Sequence, residues 1–75
     1  MQEEIGLTAG KIWHTLDAEN ELSLARLKKV VGGKSLVFDW AVGWLAREDK
    51  IVITPEKRSF RLRLKDAQER AVGAS

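Results

Sequence analysis

The chain has 75 residues, of which 44% are hydrophobic and 32% charged, with a formal net charge of +2 and no cysteine. This composition excludes a disordered chain, which needs low hydrophobicity and a high net charge, and it excludes a disulfide scaffold or a thiolate-based zinc site. We expect one small cytoplasmic domain, because the sequence shows neither a signal-peptide pattern nor the run of about 18 apolar residues that crosses a membrane.

The first two predicted helices follow from apolar spacing and from their end signals. Apolar residues recur at helical spacing between Glu3 and Glu19, which predicts one amphipathic helix. A second, short helix begins after Ser23, whose side chain suits an N-cap. It ends at Gly32 and Gly33, because glycine readily adopts the left-handed conformation of a helix C-terminus.

A third helix and a β-hairpin complete the predicted order. Ser35 is expected to cap the third helix. Residues 51–54 are β-branched, 55–59 form a polar turn, and 60–65 alternate apolar and basic side chains, which predicts a hairpin with one buried face. We expect residues 67–75 to be a loose tail. The predicted core consists of Ile5, Ile12, Leu16, Leu24, Leu27, Val31, Phe38, Ala41, Leu45, Ile51, Ile53, Phe60, Leu62 and Leu64.

Two glycines, Gly6 and Gly10, lie four residues apart in the first predicted helix. Each costs roughly 1 kcal/mol of helix stability relative to alanine. Either another backbone or a large ring approaches closely at these positions, or both glycines are tolerated on an exposed surface. The sequence leaves the two interpretations open.

The order helix, helix, helix, hairpin and the segment SLARLKKVVGGKSLVFDWAVGWLAREDKI together resemble the winged helix-turn-helix superfamily. The most specific part is WLAREDKIVI, in which a leucine, a polar run and an apolar strand start follow one another. The whole sequence is most similar to a small prokaryotic family of stand-alone winged-helix domains of unknown function. The resemblance implies an α+β winged helix over residues 1–66, with a short extra strand near residues 21–23.

Duplex DNA is the usual partner of this superfamily, whose third helix enters the major groove. Here the predicted outward arc of that helix is mostly apolar, which disfavours direct base readout. The wing, in contrast, carries five cations within nine residues, and these side chains either contact phosphates or form a solvated strand face. The candidate nucleic-acid-binding residues are Lys28, Lys29, Lys34, Lys57, Arg58, Arg61, Arg63 and Lys65.

The same outward arc predicts a protein interface as the alternative. Leu36, Val37, Trp40 and Trp44 form a contiguous apolar patch on the helical projection. Tryptophan is enriched at the buried centres of protein interfaces. Either the wing or the first helix covers both rings, or a partner does, most simply a second copy of the chain. Stacking of unpaired bases on the rings is a further alternative.

The sequence contains little evidence of a catalytic site. His14 is the only histidine, and it has no partners at metal-ligand spacing. Ser23 and Ser35 are interpreted as helix caps, and the segment GGKS lacks the earlier glycine of a phosphate-binding loop. We therefore predict no catalytic residue, metal or cofactor. The predicted function is a transcriptional regulatory module that contacts DNA through its wing and the phosphate backbone, or alternatively a protein-interaction or homodimerisation module.

Overall fold

A computed structural model describes residues 1–65 and confirms the α+β winged helix. The elements are α1 (Gln2–Glu19), β1 (Glu21–Ser23), α2 (Leu24–Val31), α3 (Ser35–Arg47), β2 (Ile51–Pro55) and β3 (Phe60–Leu64). The short strand expected near residues 21–23 is present as β1. The predicted tail at 67–75 lies outside the described residues.

Both ends of α2 form as the sequence predicts. The Ser23 hydroxyl oxygen accepts a hydrogen bond from the Arg26 backbone N–H at 3.2 Å, which caps the first turn. At the other end Gly32 and Gly33 have φ values of 71° and 79°. This is the left-handed region that favours glycine, so the glycine pair ends α2 and turns the chain toward α3.

The prediction that Ser35 caps α3 is wrong. Ser35 is already the first helical residue, and Lys34 occupies the N-cap position without a side-chain cap. The Phe38 backbone N–H donates to the Lys34 carbonyl at 3.0 Å. Lys34, with φ −75° and ψ 130°, is the last extended residue, so the helix begins one residue earlier than a Ser35 cap requires.

The sheet has three antiparallel strands in the order β1-β3-β2, so β3 is central. Leu62 of β3 pairs with Leu22 of β1 and with Ile53 of β2. Side chains alternate along a strand, which places Leu62 on the helix-facing side and Arg61 and Arg63 on the outer side. The sheet therefore closes one side of the core with its apolar face.

The core lies between α1, α2, α3 and the inner face of the sheet. Its largest fully buried side chains are Phe38, Ile12, Leu16, Leu27 and Leu62, all of which belong to the predicted core. Within residues 1–65 no helix is long and apolar enough to cross a membrane. The cytoplasmic location stays a prediction.

The prediction that Ile53 and Phe60 belong to the core is wrong, since these residues are 38% and 44% exposed. Both lie on the inner face of the hairpin, as the alternation predicts. They sit toward its wing turn, however, where the helices only partly cover the sheet. Together with Leu24, Val42 and Leu62 they line a shallow apolar depression of about 210 Å³.

The prediction that Val37 faces outward is also wrong, because Val37 is only 4% exposed. Val37, Ala41 and Leu45 are spaced four residues apart and share one side of α3. The centre of the buried stripe therefore lies between Phe38 and Ala41, and not at Phe38 itself. This shift moves Val37 into the interior.

Candidate functional site

The outward side of α3 carries a stripe of exposed apolar side chains. Trp40 and Trp44 are 46% and 47% exposed, and Leu36 is exposed as well. These residues are four apart, so they follow one another along the same side of the helix. Neither the wing nor α1 buries the two rings. Leu36, Trp40 and Trp44 therefore face outward, as predicted.

An open groove runs between this stripe and α1. Trp44 borders two adjoining depressions, of about 330 and 340 Å³, which share Gly6. Apart from its chain neighbours and the helix's own backbone, a Cβ atom built on Gly6 or on Gly10 would meet no atom of the described chain within 4 Å. A close approach by another part of residues 1–65 therefore does not explain the glycines. The groove floor stands open to solvent at both positions.

Trp13 closes the far wall of the groove on α1. It borders the second depression together with Trp44 and Gly10, and its ring is exposed. The His14 ring packs edge-to-face against it, with centroids 5.5 Å apart and an interplanar angle of 88°. His14 is exposed, as predicted, and no group of three metal-ligating side chains occurs among the described residues.

We call this surface the tryptophan face. Its centre is apolar, and ion-paired side chains lie at its border, where Lys34, which precedes α3, is 3.9 Å from Glu4 of α1. An apolar centre with a polar rim is the usual anatomy of a protein interface. The tryptophan face consists of Gly6, Gly10 and Trp13 of α1 with Leu36, Trp40 and Trp44 of α3.

The cations of the wing strand are largely neutralised by the chain itself. The Arg61 guanidinium lies 3.2 Å from Glu56 and 3.5 Å from Glu21. Lys65 lies 2.7 Å from Asp49, and the guanidinium of Arg63 donates to a neighbouring backbone carbonyl. A carboxylate beside a cation repels phosphate, so this strand is a weaker phosphate site than its sequence suggests.

The lysines of the helix-turn-helix are partly neutralised as well. Lys28 lies 3.5 Å from Asp39 and 5.7 Å from the centre of the Phe38 ring, and Lys34 pairs with α1 at the border of the tryptophan face. Three predicted nucleic-acid contacts, Lys29, Lys57 and Arg58, are exposed and form no ion pair with another residue of the described range. The predicted cations thus do not form one uniform strip.

The surroundings of these cations could not be found by motif or periodicity. Glu4 lies in α1 and Lys34 precedes α3, while Asp49 precedes β2 and Lys65 follows β3, so each pair joins residues distant in sequence. Counting cations along one strand therefore overstates the positive charge of the wing. The only available sequence signal is the near balance of 13 basic and 11 acidic residues.

Comparison with known proteins agrees with this architecture. A family model described as a winged helix-turn-helix domain (DUF2582) matches residues 1–64. Uncharacterized protein MJ1608 of Methanocaldococcus jannaschii is 41% identical over 68 residues, which cover 87% of this chain and 96% of that protein. The solution NMR structure of protein BT2368 from Bacteroides thetaiotaomicron is similar with a TM-score of 0.71 and 33% identity, covering 84% of this chain and 77% of that chain.

Proposed function

This chain belongs to the DUF2582 family of winged helix-turn-helix domains, and within that family we propose that it is a protein-interaction module that forms a symmetric homodimer through the tryptophan face. The observation that carries the proposal is the exposure of Trp40 and Trp44 on one side of α3, with Trp44 bordering the open groove beside α1. Both rings lie where a DNA-binding winged helix presents its base-reading side chains.

The area of the rings supports a dimer of weak to moderate affinity. A tryptophan side chain buries roughly 150–250 Å², so each half-exposed ring still offers about 100 Å². Four such rings, Trp40 and Trp44 of both copies, would then remove about 400 Å² from water, worth roughly 10 kcal/mol at about 25 cal/mol per Å². Association costs of about 4–15 kcal/mol offset most of this gain. The dimer should therefore respond to protein concentration.

The shape of the tryptophan face supports self-association. The surface carries projecting rings on α3 and open glycine positions on α1, side by side. A two-fold axis brings the same patch of both copies together. Each copy can then place Trp44 against Gly6 and Gly10 of the other, so that projections meet depressions twice. The open Cβ positions of these glycines leave room for such a contact.

The same contact excludes ordinary helix-in-groove recognition, because it covers the face of α3 that would enter the major groove. That face is poorly suited to base reading in any case. An indole has one donor and no acceptor, and Leu36 has neither. Exposed Asp39 carries a negative charge at 3.5 Å from Lys28. A protein partner suits this face better than a duplex does.

Sedimentation equilibrium from about ten to several hundred micromolar tests the proposal. We expect the wild type to self-associate and the double variant Trp40→Lys with Trp44→Lys to remain monomeric. Val30→Lys is the matched control, since Val30 is an exposed apolar residue of α2 outside the tryptophan face. Circular dichroism checks that each variant folds. A monomeric wild type at the highest concentration, or a folded double variant that dimerises like the parent, contradicts the proposal.

A second candidate function, a transcriptional regulatory module that contacts duplex DNA, is favoured by the wing turn. Lys57 and Arg58 are exposed there, and neither forms an ion pair within residues 1–65. Such cations can contact phosphates without reading sequence. The turn is not part of the tryptophan face, so a dimer can present two wings to one duplex.

A salt series on mixed-sequence duplex DNA tests this second function. Replacing Lys57 and Arg58 by alanine should lower the salt slope of binding by roughly two units. Replacing Arg61 by alanine should change it less, because two carboxylates already flank that guanidinium. If the protein has no measurable affinity for the duplex at about 50 mM salt, the DNA-binding function is contradicted.

A further inference from the structure

Within residues 1–65, β2 pairs only with β3, so its outer side is a free edge of the sheet. Two hydrogen bonds fix the phase of this pairing. The Lys65 N–H donates to the Lys50 carbonyl at 3.0 Å, and the Glu56 N–H donates to the Ser59 carbonyl at 2.9 Å. In an antiparallel pair, hydrogen-bonded and non-hydrogen-bonded positions alternate. Even-numbered residues of β2 therefore bond to β3.

Ile51 and Ile53 consequently direct their backbone N–H and C=O groups away from the sheet. Within the described residues neither has a hydrogen-bond partner on that side. Natural edge strands are commonly protected by charged side chains, but residues 51–54 carry none. Only Pro55, which lacks an N–H, limits the edge at its far end. The edge can therefore accept one further short strand.

An apolar depression lies on the helix side of this edge. Ile53 and Phe60 are its exposed walls, and the five residues that line it are all apolar. Val42, on its floor, is two residues from Trp44 and lies on the opposite flank of α3. The depression is therefore distinct from the tryptophan face and can be occupied independently of the proposed dimer.

Charge at the wing end of the edge indicates what kind of strand fits. Lys57 and Arg58 follow β2 in the wing turn, and both are exposed, without an ion pair to any residue among 1–65. The start of β2 carries charges of both signs, since exposed Glu48 and Asp49 precede Lys50. Antiparallel pairing of two β2 strands would set this mixed end of one copy beside the basic turn of the other, with little net gain from charge. A strand with an acidic end beside the wing turn is attracted more strongly.

We propose that the β2 edge binds an extended segment of a partner protein as an added strand, with apolar side chains at alternate positions and acidic residues at the end beside the wing turn. Its backbone pairs with Ile51 and Ile53, which is recognition by strand addition. One of its apolar side chains enters the depression beside Phe60. This site does not depend on the tryptophan face and adds a second kind of partner to the module.

A peptide titration followed by ¹⁵N–¹H spectra tests the proposal with the probe acetyl-DEVTITVDE-amide. We expect saturable shifts that are largest at the Ile51 and Ile53 amides, together with slower hydrogen exchange of both. The amides of Val52 and Thr54, already bonded to β3, serve as internal references. A peptide with N-methyl groups on alternate amides should bind at least ten-fold more weakly, because methylation removes donors.

The variant Ile53→Pro removes an outward donor without removing a bond to β3, and it should bind the probe at least ten-fold more weakly. Ile53→Val, which keeps the donor, is the matched control, and the N-methylated peptide remains decisive if the proline variant does not fold. Absence of binding at about 1 mM, or equal binding by the methylated peptide, overturns the proposal. A DNA duplex that shifts Lys57 and Arg58 while the peptide leaves the edge unchanged overturns it too.

Discussion

The double substitution Gly6→Ala with Gly10→Ala is expected to stabilise the monomer and weaken the dimer. Both glycines lie inside α1, away from the positive φ values found at Gly32 and Gly33. Beyond its chain neighbours and the helix's own backbone, an added Cβ meets no described atom within 4 Å at either position. Each alanine should therefore contribute about 0.8–1.0 kcal/mol of helix propensity, or roughly 1.5–2 kcal/mol for the pair. In a domain of this size that corresponds to a rise in Tm of roughly 5–15 °C.

The dimer should respond in the opposite direction, because the two methyl groups would fill the groove that receives the partner's Trp44. Overpacking a close contact costs about 1–3 kcal/mol, which weakens association about five- to 150-fold. Thermal melts at low micromolar concentration report the monomer, and sedimentation equilibrium at hundreds of micromolar reports the dimer. Gly43→Ala, at a further helical glycine with open space, is the matched control for propensity. A stabilised variant that dimerises as well as the parent would refute this reasoning.

Three further predictions concern the fold and use urea melts at low concentration. Leu45→Ala should lower the free energy of unfolding by roughly 2–5 kcal/mol, and exposed Lys29→Ala should change it by less than about 0.5 kcal/mol; equal effects would contradict the packing of α3. Val37→Lys should lower the free energy of unfolding by at least about 2 kcal/mol, whereas the neighbouring Leu36→Lys should leave it nearly unchanged. The reverse order would indicate that Val37 faces outward after all. Ser23→Ala should cost about 1 kcal/mol, and no loss would show that the cap contributes nothing.

Periodicity predicted the elements because each is amphipathic and bounded by a strong local signal. The glycine pair that ends α2 and the alternation in β3 are examples. Val37 was wrongly predicted to face outward, since a helical projection needs a centre and Phe38 is not the middle of the buried stripe. Periodicity also overestimated the burial of Phe60, because alternation identifies the inner face of a strand and not how far the helices extend over it.

The candidate surface was only partly predictable, for a related reason. Exposed tryptophans on α3 follow from spacing within one helix. Their junction with Gly6 and Gly10 depends on how α1 crosses α3, which no local pattern contains. The carboxylates beside Arg61 come from β1 and from the wing turn. Interactions between distant segments therefore decide both which apolar surface is continuous and which cations remain available.

Isotope-filtered NOE spectra of a sample that mixes labelled and unlabelled chains at about 1 mM would examine the proposed dimer at the level of atoms. The expected result is a set of intermolecular contacts from the indole protons of Trp40 and Trp44 in one copy to the α protons of Gly6 and Gly10 in the other. Intermolecular contacts that arise only from the wing, or none at a concentration where sedimentation finds a dimer, would contradict self-association through the tryptophan face.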